Sequence, residues 1–175
     1  MNTSSNVYLI GPMGVGKTTI GKTLAKNLAL EFVDSDQEIE NRTGVSIMTI
    51  FDIEGDVGFR NREVKVILEI AKRRGIVLAT GGGAVLRPEN RRVLRNSGLV
   101  VYLHATVEMQ LERTRNSRNR PLLNKGSRRS VIEDLMHERE PLYRQEADIV
   151  YVTDSRSPQA AAREIAGEIR EKWQS

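Results

Sequence analysis

Gly11-Pro12-Met13-Gly14-Val15-Gly16-Lys17-Thr18 follows the apolar run Val7-Tyr8-Leu9-Ile10 and opens a helical pattern that begins near Lys17. The order is strand, glycine loop, helix, with the spacing G-x-x-x-x-G-K-T of a phosphate-binding loop. Glycines let successive backbone N–H groups turn into one concavity and approach phosphate oxygens without a Cβ in the way. The helix that follows presents its positive dipole end and its unpaired N–H groups to the same anion. Lys17 supplies a point charge for the terminal phosphates, and the Thr18 hydroxyl is a hard oxygen donor suited to Mg²⁺. The loop therefore predicts a nucleoside triphosphate site.

From this loop the chain reads outward as alternating helices and short apolar strands. Ile20, Leu24 and Leu28 recur at helical spacing, so a helix is expected over Lys17 to Leu30. Phe32-Val33 starts a second strand that ends at Asp34-Ser35-Asp36. Ser35 with Glu38 reads as a capping box that starts a helix to Arg42, with Gly44 as its stop. Ser46 caps a short helix, Ile47 to Glu54, closed by Gly55, and a longer helix follows over Phe59 to Arg74. Ile76 to Ala79 is the third strand, followed by Thr80-Gly81-Gly82-Gly83. Pro88 suits a first helical turn, in a helix ending near Gly98. Leu99 to Leu103 is the fourth strand, and Thr106 caps a helix to about Arg115. Asn116 to Gly126 has no regular pattern. Ser130 and Glu133 read as a second capping box, in a helix that stops at Glu140 before Pro141. Ile149 to Val152 is the fifth strand, and Ser157-Pro158 caps a last helix to about Trp173. Apolar strands without polar alternation point to a parallel sheet covered on both faces, in one α/β domain.

Composition narrows the function. The 175 residues suffice for a single core, and no apolar run is long enough to span a membrane. The polar, uncharged start Met1 to Asn6 lacks the features of a secretory leader. The chain has no cysteine, which excludes disulfides and thiolate chemistry and fits a cytoplasmic protein. A net charge of +4 from interspersed charges argues against a dedicated nucleic-acid surface and suits small anions.

Ligands of open parallel sheets sit beyond the carboxyl ends of the strands. Three such ends carry unusual residues: the phosphate loop, Asp34-Ser35-Asp36, and Thr80-Gly81-Gly82-Gly83. One carboxylate of the aspartate pair suits Mg²⁺, directly or through water, and the other suits orienting or deprotonating an acceptor hydroxyl. Gly81 to Gly83 offer bare backbone to a substrate. Arg60 suits a two-pronged grip on a carboxylate and shares a helix face with Glu63. The stretch Arg113 to Pro121 holds four arginines, as a basic lid closing over a phosphate site would. Arg139, near a helix end, carries no signal alone. His104 and His137 match no metal spacing.

These residues together resemble the shikimate kinase family. The resemblance rests on GPMGVGKTTIG at the loop, DSDQEIE at Asp34 to Glu40, FRNRE at Phe59 to Glu63 and LATGGG at Leu78 to Gly83, with RPLL at Arg120 to Leu123 and REPLYR at Arg139 to Arg144. It implies a three-layer P-loop kinase fold, a five-stranded parallel sheet in the order 2-3-1-4-5 flanked by helices, in a single domain over 1–175. Within it the phosphate loop is 11–18, a shikimate-binding helical region lies at about 35–62, and a mobile lid at about 113–126. The implied reaction moves the γ-phosphoryl group of ATP to the 3-hydroxyl of shikimate, on the chorismate route to aromatic amino acids. By motif position, Gly14, Val15, Gly16, Lys17, Thr18 and Thr19 hold ATP, with Arg113 and Arg156 near the adenine. Lys17, Asp36 and Arg120 are the implied catalytic residues, Arg120 being the lid arginine that reaches ATP. Asp36, Arg60, Gly81, Gly82 and Arg139 are the implied shikimate site. Thr18 and, through water, Asp34 would serve Mg²⁺. A cytoplasmic monomer acting on ATP and shikimate, with no nucleic acid or membrane partner, is expected. Two alternatives stay open at this point: a related small-molecule kinase of the gluconate type, and a nucleotide-binding module that transfers nothing.

Overall fold

A computed structural model of the chain describes residues 5–117, 123 and 127–175. Five strands, β1 (Asn6–Ile10), β2 (Glu31–Asp34), β3 (Ile76–Ala79), β4 (Gly98–His104) and β5 (Ile149–Val152), form one parallel sheet in the order β2-β3-β1-β4-β5. The seven α-helices among the described residues are α1 (Lys17–Leu28), α2 (Ser35–Thr43), α3 (Ile47–Ile70), α4 (Pro88–Ser97), α5 (Val107–Thr114), α6 (Arg128–Glu146) and α7 (Pro158–Gln174). None is long and apolar enough to cross a membrane.

Strand alternation splits the interior into two layers. Val7, Leu9, Val77, Val101 and Leu103 face one side and pack with Leu24, Ala25, Ala162, Ile165 and Ile169 of α1 and α7. Tyr8, Ile10, Leu78, Val100 and Tyr102 face the other and meet Phe59, Val66, Ile67, Leu94 and Tyr143 of α3, α4 and α6. The three-layer reading therefore holds, with one amendment at an edge. In β5, Ile149 and Tyr151 are buried, but Val150 and Val152 are 42% and 56% exposed. An outermost strand is covered on one face only here, which an all-apolar run cannot announce.

The helix boundaries carry four further corrections. The cap of α2 is Asp34, whose carboxylate accepts the Gln37 N–H at 3.1 Å; Ser35 is the first helical residue. The start of α6 is Ser127, so Ser130 lies inside the helix and caps nothing. The two helices expected over Ile47–Glu54 and Phe59–Arg74 abut as α3, with non-helical backbone only at Gly55 (φ 70°, ψ −175°), and α3 ends at Ile70, short of Arg74. Finally, α6 continues through Pro141 to Glu146. A proline inside a helix removes one hydrogen bond and costs about 3 kcal/mol. Beyond it, Tyr143 is buried in the core and Glu146 is held by Arg95 at 2.7 Å, so the last turns are fixed by packing and an ion pair. The caps at Ser46, Thr106 and Ser157 form as expected, each accepting a backbone N–H.

The joint between β1 and β4 has no room to spare. A Cβ at Gly98 would lie 2.5 Å from the Asn6 carbonyl oxygen and 2.6 Å from the Tyr8 ring, and both neighbours are buried. Gly98→Ala is expected to destabilise the fold by about 1–3 kcal/mol in urea unfolding, as overpacked cores do. An unchanged midpoint would show that this strand pair can part without cost.

Candidate active site

The topology places three strand ends side by side. β3 lies between β1 and β2, so the loops after all three open on one cleft of about 950 Å³ at the carboxyl edge of the sheet. Gly11 (φ 144°), Gly14 (φ 74°) and Gly16 (φ 96°) give the first loop its turns. A Cβ on Gly11 would strike the Leu103 carbonyl oxygen of β4, so only glycine lets the loop leave the sheet there. No acidic residue stands in the first turn of α1, whose positive end faces the cleft. Lys17 Nζ donates to the Gly11 and Pro12 carbonyl oxygens at 2.6 and 2.8 Å and so spans the loop. Val15 packs in the core at the floor of the cleft. Thr19 lines the cleft.

The two aspartates turn toward different neighbours. Thr18 Oγ1 donates to Asp34 Oδ2 at 2.8 Å, joining a hydroxyl and a carboxylate from different loops beside the phosphate cradle. Both are hard oxygen donors, and they fit Mg²⁺ bound largely through water and phosphate. No cluster of three or more acidic, histidine or cysteine side chains suited to a metal occurs among the described residues.

Asp36, one helical position beyond Ser35, turns into the cleft. Its Oδ1 is buried and has no hydrogen-bond partner among the described residues. Burial first, then the charges of Glu63 and Asp34, push its pKa up to about 7, against the pull of Lys17 and Arg60.

Beyond Asp36 lies a pocket of buried charge. Arg60 and Arg139 are 4% and 5% exposed, and Glu63 is 0% exposed. Arg60 Nη1 donates to Glu63 Oε1 at 2.8 Å, while Glu63 Oε2 has no partner among the described residues, and burial raises the Glu63 pKa. The Gly81 to Gly83 loop threads between these groups. A Cβ on Gly81 would stand 2.9 Å from both Asp36 Oδ1 and Glu63 Oε2, one on Gly82 would stand 3.6 Å from Arg139 Nη1, and one on Gly83 would overlap the Arg60 guanidinium. The loop is held by Ser35, whose Oγ accepts the Gly81 N–H at 3.2 Å, and by Tyr143, whose hydroxyl donates to the Gly82 carbonyl at 2.5 Å.

At the other end of the cleft, Arg113 donates to the Val15 carbonyl at 3.0 Å and to the Asp154 carbonyl at 3.2 Å, bracing the phosphate loop against the segment after β5. Arg156 pairs with Asp154 and Glu164 at 2.8 Å each and lies over the Tyr151 ring. Arg120 and most of the expected lid at 113–126 lie outside the described residues.

All other expected site residues thus line a single cleft. The residues that sequence reasoning left without a role are Ser35, Glu63 and Tyr143. Ser35 was read as a cap. Tyr143 follows Arg139 at i+4, a spacing that places both on one helix face, but that signal is lost when the helix is ended before Pro141.

Comparison with known proteins gives one consistent result. The family model described as shikimate kinase matches residues 13–170. The shikimate kinase of Hahella chejuensis is 54% identical over 165 residues, covering 94% of this chain and 86% of that protein. The shikimate kinase of Pseudomonas aeruginosa is likewise 54% identical, with 94% of this chain and 96% of that protein covered. Among solved structures, shikimate kinase from Acinetobacter baumannii in complex with shikimate superposes with a TM-score of 0.94 at 46% identity, over 96% of this chain and 94% of that one. The Aquifex aeolicus shikimate kinase gives a TM-score of 0.83 at 32% identity, over 95% of this chain and 97% of that one. A phosphate-loop cleft with a buried guanidinium pair, in a chain matched over nearly its whole length, belongs to the shikimate kinase family.

Proposed function

We propose that this chain transfers the γ-phosphoryl group of ATP to the 3-hydroxyl of shikimate, giving 3-phosphoshikimate and ADP. The observation that carries the reading is the pair of buried guanidinium groups, Arg60 and Arg139, set around bare glycine backbone across from the phosphate loop. Arg60 is already paired with Glu63 and Asp56, whereas Arg139 has no ion-pair partner among the described residues; a monoanionic carboxylate would supply one, and a guanidinium fork matches its two oxygens. A nucleotide acceptor would need more cationic groups at this end. A pure nucleotide-binding module would not need a carboxylate buried at the acceptor position.

In this reading the amides of Gly14 to Thr19 and the Lys17 ammonium hold the triphosphate, with Arg113 and Arg156 on the adenine side and Arg120 brought in by the lid at 113–126. The helical region 35–62 carries the acceptor site, where Arg60, Arg139 and the Gly81–Gly82 backbone fix the ring by its carboxylate. Asp36 accepts a hydrogen bond from the 3-hydroxyl. The hydroxyl oxygen attacks the γ-phosphorus, the bond from that phosphorus to the β–γ bridging oxygen breaks, and the hydroxyl proton passes to the Asp36 carboxylate. Thr18 and Asp34 would hold Mg²⁺ beside the phosphates, where it neutralises charge on their oxygens. The reading is of a monomer that acts in the cytoplasm, where ATP is supplied.

Purified protein with ATP and Mg²⁺ should release ADP on addition of shikimate and not of gluconate; release without an acceptor preference would overturn the reading. Lys17→Ala is expected to lower kcat by about 10³-fold or more, because charge on the moving phosphoryl group loses its counterion. Arg139→Ala should raise the KM for shikimate by about 10- to 100-fold and leave ATP binding intact; equal loss of both would contradict the assignment.

Asp36 also links stability to pH. Its folded pKa of about 7 lies above the range of an unfolded aspartate, so the folded state holds the proton more tightly. Its contribution to stability is therefore complete below the unfolded pKa and is lost as pH rises through about 7. Asp36→Asn should leave the unliganded protein more stable than the wild type at pH 8, by about 1–4 kcal/mol, with little difference near pH 4. The same variant should lose most turnover. A variant less stable at pH 8 would show that the ionised carboxylate is well solvated after all.

A further inference from the structure

Tyr143 belongs to none of the groups that would touch either substrate, yet it is 1% exposed at the meeting point of two that would. Its hydroxyl donates to the Gly82 carbonyl at 2.5 Å. The Arg139 guanidinium, one turn earlier on α6, lies close enough for its charge to act on the Tyr143 hydroxyl. Burial nonetheless holds the phenol up to about 12, so it remains a donor throughout the working range of pH.

The remaining contacts of the loop show what this hydroxyl adds. Gly81 is held through its N–H by Ser35 and through its carbonyl by the Ala84 N–H at 3.1 Å. The next peptide, Gly82–Gly83, is fixed at its carbonyl end by Tyr143. In a trans peptide the C=O and the following N–H point in opposite directions. Drawing the Gly82 carbonyl to α6 therefore turns the Gly83 N–H away from α6. Without that bond, two successive glycines leave the peptide free to rotate. The Tyr143 ring is itself immobilised by stacking on Tyr102, with centroids 5.0 Å apart and planes 24° from parallel.

We propose that Tyr143 is a positioning residue for the acceptor site, its hydroxyl locking the Gly82–Gly83 peptide and the Arg139 guanidinium in the one arrangement that receives a carboxylate. This rests on the acceptor reading given above. It adds that α6 sets acceptor affinity through a phenol that does not touch the acceptor.

The structure supplies its own control. The Tyr102 hydroxyl is buried and has no partner among the described residues, so Tyr102→Phe removes an oxygen from the same ring stack without cutting any link to the loop. Tyr143→Phe is expected to raise the KM for shikimate by about 5- to 20-fold, with kcat at saturation and the KM for ATP within about twofold of the wild type. Tyr102→Phe should leave all three unchanged. An unaltered KM for shikimate in Tyr143→Phe would overturn the proposal, as would an equal rise in Tyr102→Phe, which would assign the effect to ring packing. A measurement independent of turnover is the amide spectrum of the unliganded protein. The Gly83 N–H resonance should move in Tyr143→Phe and hold in Tyr102→Phe, and a stationary resonance in both would also refute the link. Failure of the wild type to phosphorylate shikimate would count against the acceptor reading and leave this spectroscopic comparison standing.

Discussion

Three charged side chains, Glu63, Arg60 and Arg139, are withdrawn from water around three residues that have no side chains, and Asp36 turns one buried carboxylate oxygen toward them. Burying an ion costs several kcal/mol unless its partners replace the lost hydration. Here they do so incompletely: Arg60 is paired with Glu63 at 2.8 Å and, through Nε, with Asp56 at 3.5 Å, but one oxygen each of Asp36 and Glu63, and the Nε of Arg139, have no hydrogen-bond partner among the described residues. Such a pocket is stable only because the rest of the domain holds it together, and its unmet hydrogen bonds define what would complete it. A small ring bearing one carboxylate and several hydroxyls supplies acceptors for the guanidinium groups and donors for the carboxylates.

The sheet order sets this pocket against the phosphate loop. With β3 between β1 and β2, the glycine run after Ala79 emerges beside the phosphate loop, and a Cβ at Gly82 would lie 3.5 Å from the Gly11 carbonyl oxygen and the Met13 nitrogen. The phosphate loop and the glycine run therefore meet backbone to backbone. The same crowding explains why the loops are so heavily braced, by Arg113 and Lys17 on one side and by Ser35 and Tyr143 on the other. Phosphoryl transfer asks mainly for positioning and fixed charge, and stiff loops meet both needs.

Contiguous signals were legible in the sequence. The phosphate loop, the caps at Ser46, Thr106 and Ser157, and the apolar strands depend on neighbours a few residues away, and the structure shows each where the pattern put it. The cap at Asp34 was misplaced by one residue because Ser35 is equally suited to that task by composition; only the approach of Gly81, far along the chain, gives Ser35 other work. Arg139 carried no signal by itself, and Arg60 only the suggestion of a carboxylate grip, because burial is a property of the packed domain. Their pairing in one site was implied by the family resemblance, not by spacing. Pro141 hid the most: a helix ended there separates Arg139 from Tyr143, whereas the helix that passes through it stacks them on one face.

The guanidinium pair is tested most directly by a crystal structure of the protein with ADP and shikimate bound. The account expects the ring carboxylate between Arg60 and Arg139, and the 3-hydroxyl within hydrogen-bond distance of Asp36, facing the terminal phosphate. A ring bound elsewhere, or turned so that its carboxylate faces the phosphate loop, would contradict it.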